Sequence, residues 1–423
     1  MGLPELSLIA LAVAVVIGIV RNVNVGPLSI AIALVIGYYI GGVKIKELIA
    51  GYPVNVFLML AGITYLFAIA NINGTLAKLT SFAVKSVGGN VALLPIVLFL
   101  VAFFLSSLGP GAIVICAMMA APCMLLASRA KIPAFLMAVM VANGTQAGNM
   151  SPIAVAGVIV KGLMQKMNLP DWTFILWMNS LVYFFVIGIC AYVLFGGLKL
   201  WKKRGLENGF AMEKSDTAPF NRQQYLTLAG IAIMVIGVLF FKVDIGFFGF
   251  LVGTLLILFK AVDDEEKVFK AMPWAAIMMV TGVTVLISLM SKIGGMTLFA
   301  SIMAAQSTPG TVTLVAGFWS GLVSAYASTI GVILPAFVPM APDLLVKIGA
   351  PASDLLALLS SIILSGHVTD VSPLSTLGAI FIANAAEDQD KKRLFKQLLI
   401  WGLVMTPIGA VVCWFLFTVL GIP

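Results

Sequence analysis

"SGHVTDVSPLSTLGA" runs from Ser365 to Ala379 and holds the only histidine of the chain, His367, an aspartate, Asp370, five hydroxyl residues and Pro373. It is preceded by "SDLLALLSSIIL" and followed by "IFIANAA", both largely apolar. Polar and ionisable groups inside an apolar run are costly unless they face a protein interior or a water-filled cavity. The surroundings decide which applies.

Those surroundings are apolar throughout. Of 423 residues, 61% are hydrophobic and 10% charged, against about 25% charged in a soluble domain. Several runs approach or exceed the roughly 20 apolar residues needed to cross a bilayer as a helix. They lack the strand alternation of an outer-membrane barrel, so the expected class is an all-α polytopic membrane protein. The first apolar run, 4–20, meets Arg21 with no small-residue cleavage pattern and reads as a retained span. The four cysteines lie in apolar runs with no Cys-x-x-Cys pair, which argues against a disulfide framework or thiolate metal site. No Gly-x4-Gly-Lys-Ser/Thr loop occurs, so the chain itself is not expected to use ATP, and no cofactor is expected. The net charge of +8 is expected to reflect basic loops on one side of the membrane, not a nucleic-acid partner.

One segment is strongly polar: "KLWKKRGLENGFAMEKSDTAPFNRQQ", residues 199–224. The halves it separates repeat each other. "NVGPLSIAIALVIGYYI" from Asn24 pairs with "DIGFFGFLVGTLLILFK" from Asp244, and "AGITYLFAIANING" from Ala61 with "TGVTVLISLMSKIG" from Thr281, both at an offset of 220. "GNMSPIAVAGVI" from Gly148 pairs with "TDVSPLSTLGAI" from Thr369 at 221. A duplicated chain with broken helices is the pattern of secondary transporters.

Each repeat reads as three early helices, two apolar arms joined by a short tip, a broken helix and a last helix. The arms are 91–106 and 112–128 around "SSLGPG", then 311–325 and 331–345 around "AYAST". Treating the arms as re-entrant hairpins puts 18 Lys and Arg on one side and 7 on the other. Treating them as full spans separates Arg129 and Lys131 from Lys78 and Lys85. The positive-inside rule favours hairpins. The expectation is therefore an inverted repeat of two five-span units in the cell's inner (plasma) membrane, both termini outside. The first repeat is 1–198, with scaffold helices in 1–90, hairpin and broken helix in 91–168 and a helix at 172–198. The linker is 199–224. The second repeat is 225–423, with scaffold 225–308, hairpin and broken helix 309–386 and a final helix at 394–420.

Non-helical backbone at membrane depth must be buried in protein or line a cavity. Four such places are expected: the two hairpin tips and the breaks at 143–152 and 365–376. Half-helices starting there present N–H groups and positive dipole ends that suit an anion without a buried Arg or Lys. The candidate substrate contacts are Ser106, Ser107, Gly109, Pro110, Gly111, Asn143, Thr145, Ser328, Thr329, Thr369, Ser372 and Pro373. Freed carbonyls and side-chain oxygens suit a hard cation such as Na⁺; its candidate ligands are Ser107, Gly148, Asn149, Ser151, Ser328, Asp370 and Ser372. His367 and its counterpart Gln146 form a candidate coupling or polar network. The alternative is a Pro-kinked helix whose hydroxyls bond the preceding carbonyls, with Asp370 as a helix cap.

With its duplication, paired hairpins and two broken helices, the chain resembles the ion transporter superfamily. Within it the chain is most similar to the divalent anion/sodium symporters and the malonate-type dicarboxylate carriers, over nearly its whole length. The resemblance implies a sodium-driven symporter of a small dicarboxylate, a homodimer in the lipid bilayer, and an elevator in which hairpins and broken helices move against a scaffold. The family's Ser-Asn-Thr tip motifs are not literal here: the tips read Gly109-Pro110-Gly111 after Ser106-Ser107, and Ala327-Ser328-Thr329. Proton coupling through Asp370 and His367, and cation/proton antiport, remain open alternatives. A channel remains a further one. The paired-aspartate and rhomboid motifs of intramembrane proteases are absent, and no enzymatic activity is expected.

Overall fold

In hydrocarbon a segment must bond its own backbone groups, which favours helices; the described residues are helix and turn, with no strand among them. The computed structural model describes residues 2–21, 23–86, 90–201 and 219–422. Most of the linker, 202–218, therefore lies outside the described residues.

The first repeat contains α1 (Leu3–Arg21), α2 (Val25–Ala33) continued by a π-helical stretch (Leu34–Ile40), α3 (Ile45–Ala50), α4 (Val54–Ile72) and α5 (Thr75–Ser86). The hairpin follows as α6 (Leu93–Ser107) and α7 (Gly111–Arg129), the broken helix as α8 (Ala134–Asn149) and α9 (Val155–Lys166), then α10 (Thr173–Leu194) and the short α11 (Gly197–Leu200). The second repeat contains α12 (Arg222–Phe240), α13 (Ile245–Leu258), α14 (Glu265–Ala271), α15 (Trp274–Lys292), α16 (Gly295–Ala304) and α17 (Val312–Ser324). A π-helical turn (Thr329–Ile333) leads into α18 (Leu334–Phe337), then come α19 (Ala341–Ile348), α20 (Leu355–Thr369), α21 (Thr376–Ala383) and α22 (Lys391–Cys413).

Among the described residues six helices are long and apolar enough to cross a membrane by themselves, or seven if the bent pair 329–337 and 341–348 is one span; one of the six is α7, expected as an arm of a re-entrant hairpin. Shorter apolar helices include α1, α2 with its π-helical continuation, α6, α12, α13, α16 and α17. The chain is a multi-pass membrane protein.

Glycines bring the repeats together. A Cβ on Gly62 of α4 would lie 2.0 Å from the Gly246 carbonyl oxygen of α13, and one on Gly282 of α15 would lie 2.3 Å from that of Gly26 in α2. Residues 62 and 282, like 26 and 246, are 220 apart, so the same close contact is made twice with the repeats exchanged. Small residues at such crossings let backbones approach, which is how apolar helices associate when lipid tails compete for the same surface.

The structure departs from the expected segment bounds at the end of the linker, where α12 already begins at Arg222 within 199–224, and at both breaks and the second hairpin. The break expected at 143–152 begins only after Asn149, and the one at 365–376 only after Thr369. Gly144 and Gly148 stay helical, and α6 occupies the space a side chain would need: their Cβ atoms would lie 2.3 Å from the Phe99 oxygen and 2.4 Å from the Phe103 oxygen. Close packing, not helix breaking, is what these glycines supply. The second hairpin's return arm, expected as one piece, bends by 41° between α18 and α19. Pro339 lies in that bend, where a missing N–H and the ring's clash with the preceding turn disfavour continuous helix.

Candidate functional site

The breaks are built alike. After α8, Ser151 N–H donates to the Gly148 carbonyl (3.0 Å) and Ala154 N–H to that of Ser151 (2.8 Å). After α20, Ser372 donates to Thr369 (2.9 Å) and Ser375 to Ser372 (3.0 Å). Pro152 and Pro373 lie within these turns and have no N–H to continue a helix. Gly157 and Gly378 then let α9 and α21 fold back closely: their Cβ atoms would lie 2.1 Å and 2.3 Å from the oxygens of Ser151 and Ser372.

Each hairpin tip is tied to the broken helix of its own half. In the first, Ala112 N–H donates to Asn149 Oδ1 at 3.1 Å. Gly111 has φ +74°, and a Cβ there would meet Asn149 and Val155 at 2.9 Å, so glycine fits both the backbone and the space. Gly109 lies against Ile63 and Phe67. Ile63 is near the middle of α4, so this tip is level with the centre of that helix. In the second repeat, Ser324 and Thr329 both donate to the Gly366 carbonyl, at 2.8 and 3.0 Å. Ser328 caps the following turn by accepting from Gly331 N–H at 3.2 Å.

The two breaks meet through four side chains. Gln146 Nε2 lies 3.4 Å from Asp370 Oδ2 and 3.3 Å from the His367 carbonyl. Asn149 Nδ2 donates to Gln146 Oε1 at 3.1 Å and faces His367 Nε2 at 3.4 Å. Gln146 and His367 are 221 residues apart, as are Asn149 and Asp370, so the contact is reciprocal. A neutral imidazole with its proton on Nδ1 can accept at Nε2. All four residues are buried, and Asp370 is the only buried carboxylate among the described residues.

Ser375 completes the environment of Asp370. Its hydroxyl lies 2.7 Å from the Ala327 carbonyl of the second tip and also bonds Asp370 Oδ1. A hydroxyl has one hydrogen. Both contacts are satisfied together if Asp370 is protonated and donates to Ser375, which then donates to Ala327. If Asp370 is ionised, Ser375 can serve only one acceptor, and a cation can take the place of the proton.

Of the sequence-derived candidates, Gly111, Asn149, Gln146, Ser328, Thr329, His367 and Asp370 are gathered around the tips and breaks. Ser151, Ser372 and Pro373 form the adjoining turns and are buried. Other hydroxyls are already engaged: Thr145 with the Ala142 carbonyl (2.7 Å) and Cys116, Thr369 with the Ser365 and Gly366 carbonyls, and Ser107 with Phe103 (2.8 Å). This is the hydroxyl-to-preceding-turn pattern weighed as the alternative. Asn143 and Ser106 are fully buried with no hydrogen-bond partner for their side chains. The described residues contain no cluster of three His, Cys, Asp or Glu side chains that could hold a metal. A cation here would have to rely on hydroxyl and carbonyl oxygens with Asp370, a donor set that suits a hard ion.

Sequence reading missed Ser375 and Ser324. Ser375 stands 221 residues after Ala154, so a hydroxyl gained in one repeat beside a carboxylate gained in the same repeat was the available signal. The site also differs in exposure. Tyr326 and Leu374 beside the second tip and break are 37% and 41% exposed, while Ile153, the counterpart of Leu374, is 4% exposed.

Two broken helices thus meet two hairpin tips inside a multi-pass helical protein. The chain resembles the malonate-type dicarboxylate carriers: residues 1–149 match the family model described as the dicarboxylate carrier protein MatC N-terminus. A solved structure of similar fold is the YdaH transporter of Alcanivorax borkumensis, described as having an unusual topology. It has 14% identity and a TM-score of 0.53, over 89% of this chain and 87% of that one. No curated protein matches the chain.

Proposed function

We propose that the protein is a secondary active symporter that carries a small dicarboxylate, driven by a sodium gradient. The observation that carries this reading is the buried meeting of the two breaks at Gln146, Asn149, His367 and Asp370, with both hairpin tips attached. The family match over residues 1–149 supports the substrate class. Backbone N–H groups at the tips and half-helix starts would hold the carboxylates, and Asp370 with nearby oxygens would hold Na⁺. Ser107, Ser328 and Thr329 stand close enough to the tips to tune substrate affinity.

The mechanism proposed is an elevator. The crossed helices α2, α4, α13 and α15 would form the scaffold of an inverted-repeat homodimer. The hairpins, broken helices, α10 and α22 would slide against it. The membrane would be the cell's inner membrane, with both termini outside. A second reading is proton coupling, favoured by the single hydrogen of Ser375 between Asp370 and Ala327. Counterflow in proteoliposomes with labelled malonate, succinate, citrate and sulfate, with and without a Na⁺ gradient, tests both. Exchange of a dicarboxylate that is accelerated by Na⁺ is expected. Exchange that ignores Na⁺ and follows a pH gradient selects the second reading, and no exchange of any of the four refutes the substrate class.

A further inference from the structure

We propose that the groove between α10 and α22, with the polar pocket at its charged end, binds one glycerophospholipid whose headgroup carries a phosphate and a primary ammonium. The groove encloses about 490 Å³. Val186, Cys190 and Leu194 of α10 line one wall, and Ile400, Val404 and Ile408 of α22 the other; all six are exposed. From Gln397 to Val412 it follows 15 residues of helix, roughly 22 Å at 1.5 Å per residue. That is most of a hydrocarbon core about 30 Å thick, enough for an acyl chain.

Apolar walls alone would accept any lipid tail. The end of the groove supplies the selection. Gln397 lines both the groove and a second cavity of about 450 Å³, bounded by Lys131, Arg393, Asp388 and Asp390. Arg393, which lines the polar pocket, lies four residues before Gln397 and so extends the groove-facing side of α22 by one turn. A guanidinium at that position offers paired donors to a phosphate. The carboxylates are held in place on the same wall. Asp388 accepts from the Ser128 hydroxyl at 2.6 Å, and Asp390 caps α22 by accepting from Arg393 N–H at 3.0 Å.

Two cations beside two carboxylates complement a zwitterion better than a net anion. An ethanolamine ammonium can donate hydrogen bonds to the carboxylates; a choline headgroup has the charge but no N–H. The groove also touches the central site, because Trp401, which lines it, donates to the Val368 carbonyl at 3.3 Å, two residues before Asp370.

The test uses the delipidated full-length protein in nanodiscs of phosphatidylcholine alone, with phosphatidylethanolamine added, or with phosphatidylglycerol added. Lipid retained after washing is identified by mass spectrometry, and the thermal midpoint is followed. Phosphatidylethanolamine should be retained several-fold over the others and give the highest midpoint. Asp388→Asn with Asp390→Asn should erase its advantage over phosphatidylcholine while the asparagine still caps α22. Cys190→Trp should fill the groove and lower retention without touching the polar pocket. Equal retention of all three lipids overturns the proposal in favour of ordinary annular lipid. Preference for phosphatidylglycerol overturns it in favour of an anion site. Oxidative cross-linking of Cys190 between two copies in the bilayer overturns it in favour of a second protein chain covering the groove.

Discussion

At the first break Asn149 accepts from Ala112 N–H, and Ala154 stands where the second break has Ser375. At the second, Asp370 is bonded by Ser375, which also contacts the Ala327 carbonyl of the hairpin. The hairpins differ in the same way. The first tip is attached through backbone N–H and shaped by Gly109, Pro110 and Gly111; the second is attached through the hydroxyls of Ser324, Thr329 and Ser375. Two copies of one backbone have thus been given different chemistry. The first presents amide, hydroxyl and backbone groups; the second adds a carboxylate, Asp370.

The largest effect expected from that difference is at Asp370. Asp370→Asn gives the second break the amide of the first and removes the charge. Ion-driven accumulation of substrate should fall about ten- to hundredfold, the equivalent of roughly 1.4–2.8 kcal/mol of lost coupling. Uptake measured against Na⁺ and against pH separates the two ions, and wild-type curves on both axes would reduce Asp370 to a helix cap. Asn149→Asp in the same variant would show whether the charge works from either break.

Packing gives the next test. Gly148 and Thr369 are counterparts, yet a Cβ at Gly148 would lie 2.4 Å from the Phe103 carbonyl oxygen of α6, whereas the second position already holds a β-branched side chain. Gly148→Val should destabilise the protein by about 1–3 kcal/mol through overpacking against α6, whereas Thr369→Val should cost less. Thermal midpoints in one detergent compare them, and equal losses would mean that α6 and α17 pack alike on the two broken helices.

Ser375→Ala makes the second break resemble the first at one atom. It removes the bridge from Asp370 to Ala327 and should cost about 1 kcal/mol of the hairpin's attachment. The readout is the pH dependence of uptake, which should shift while Ala154→Ser leaves it unchanged. An unshifted profile would remove Ser375 from the coupling path.

The smallest effect lies outside the breaks. Asp171, between α9 and α10, pairs with Lys161 at 3.0 Å. Partial burial pushes its carboxyl up, but the Thr173 hydroxyl and N–H and the Lys161 ammonium outweigh it and hold the carboxyl below the usual aspartate range. A lowered folded value stabilises the fold above the ordinary range, and that contribution is lost as pH falls through the folded value. The pair is half exposed, so Asp171→Asn should cost only a few tenths of a kcal/mol at neutral pH. Its difference from wild type should vanish in acid, and a difference that persists there would show that the pair is not its source.

Much of this was legible in residue order. Apolar run length requires membrane helices, because backbone groups in hydrocarbon have no water to bond. The repeated Ser-Pro turns mark both breaks, because proline cannot donate to the preceding turn. The 220–221 offset names the pairs Gln146 with His367 and Asn149 with Asp370. What the sequence by itself left open is how these pairs meet. Only the tertiary structure crosses them, bringing Gln146 to Asp370 and Asn149 to His367, keeps Gly144 and Gly148 helical, and attaches Ser375 to a hairpin 48 residues earlier. The physical reason is that intrinsic propensity acts along one segment, whereas a glycine's use and a hydroxyl's partner depend on what a distant helix places within 3 Å of it.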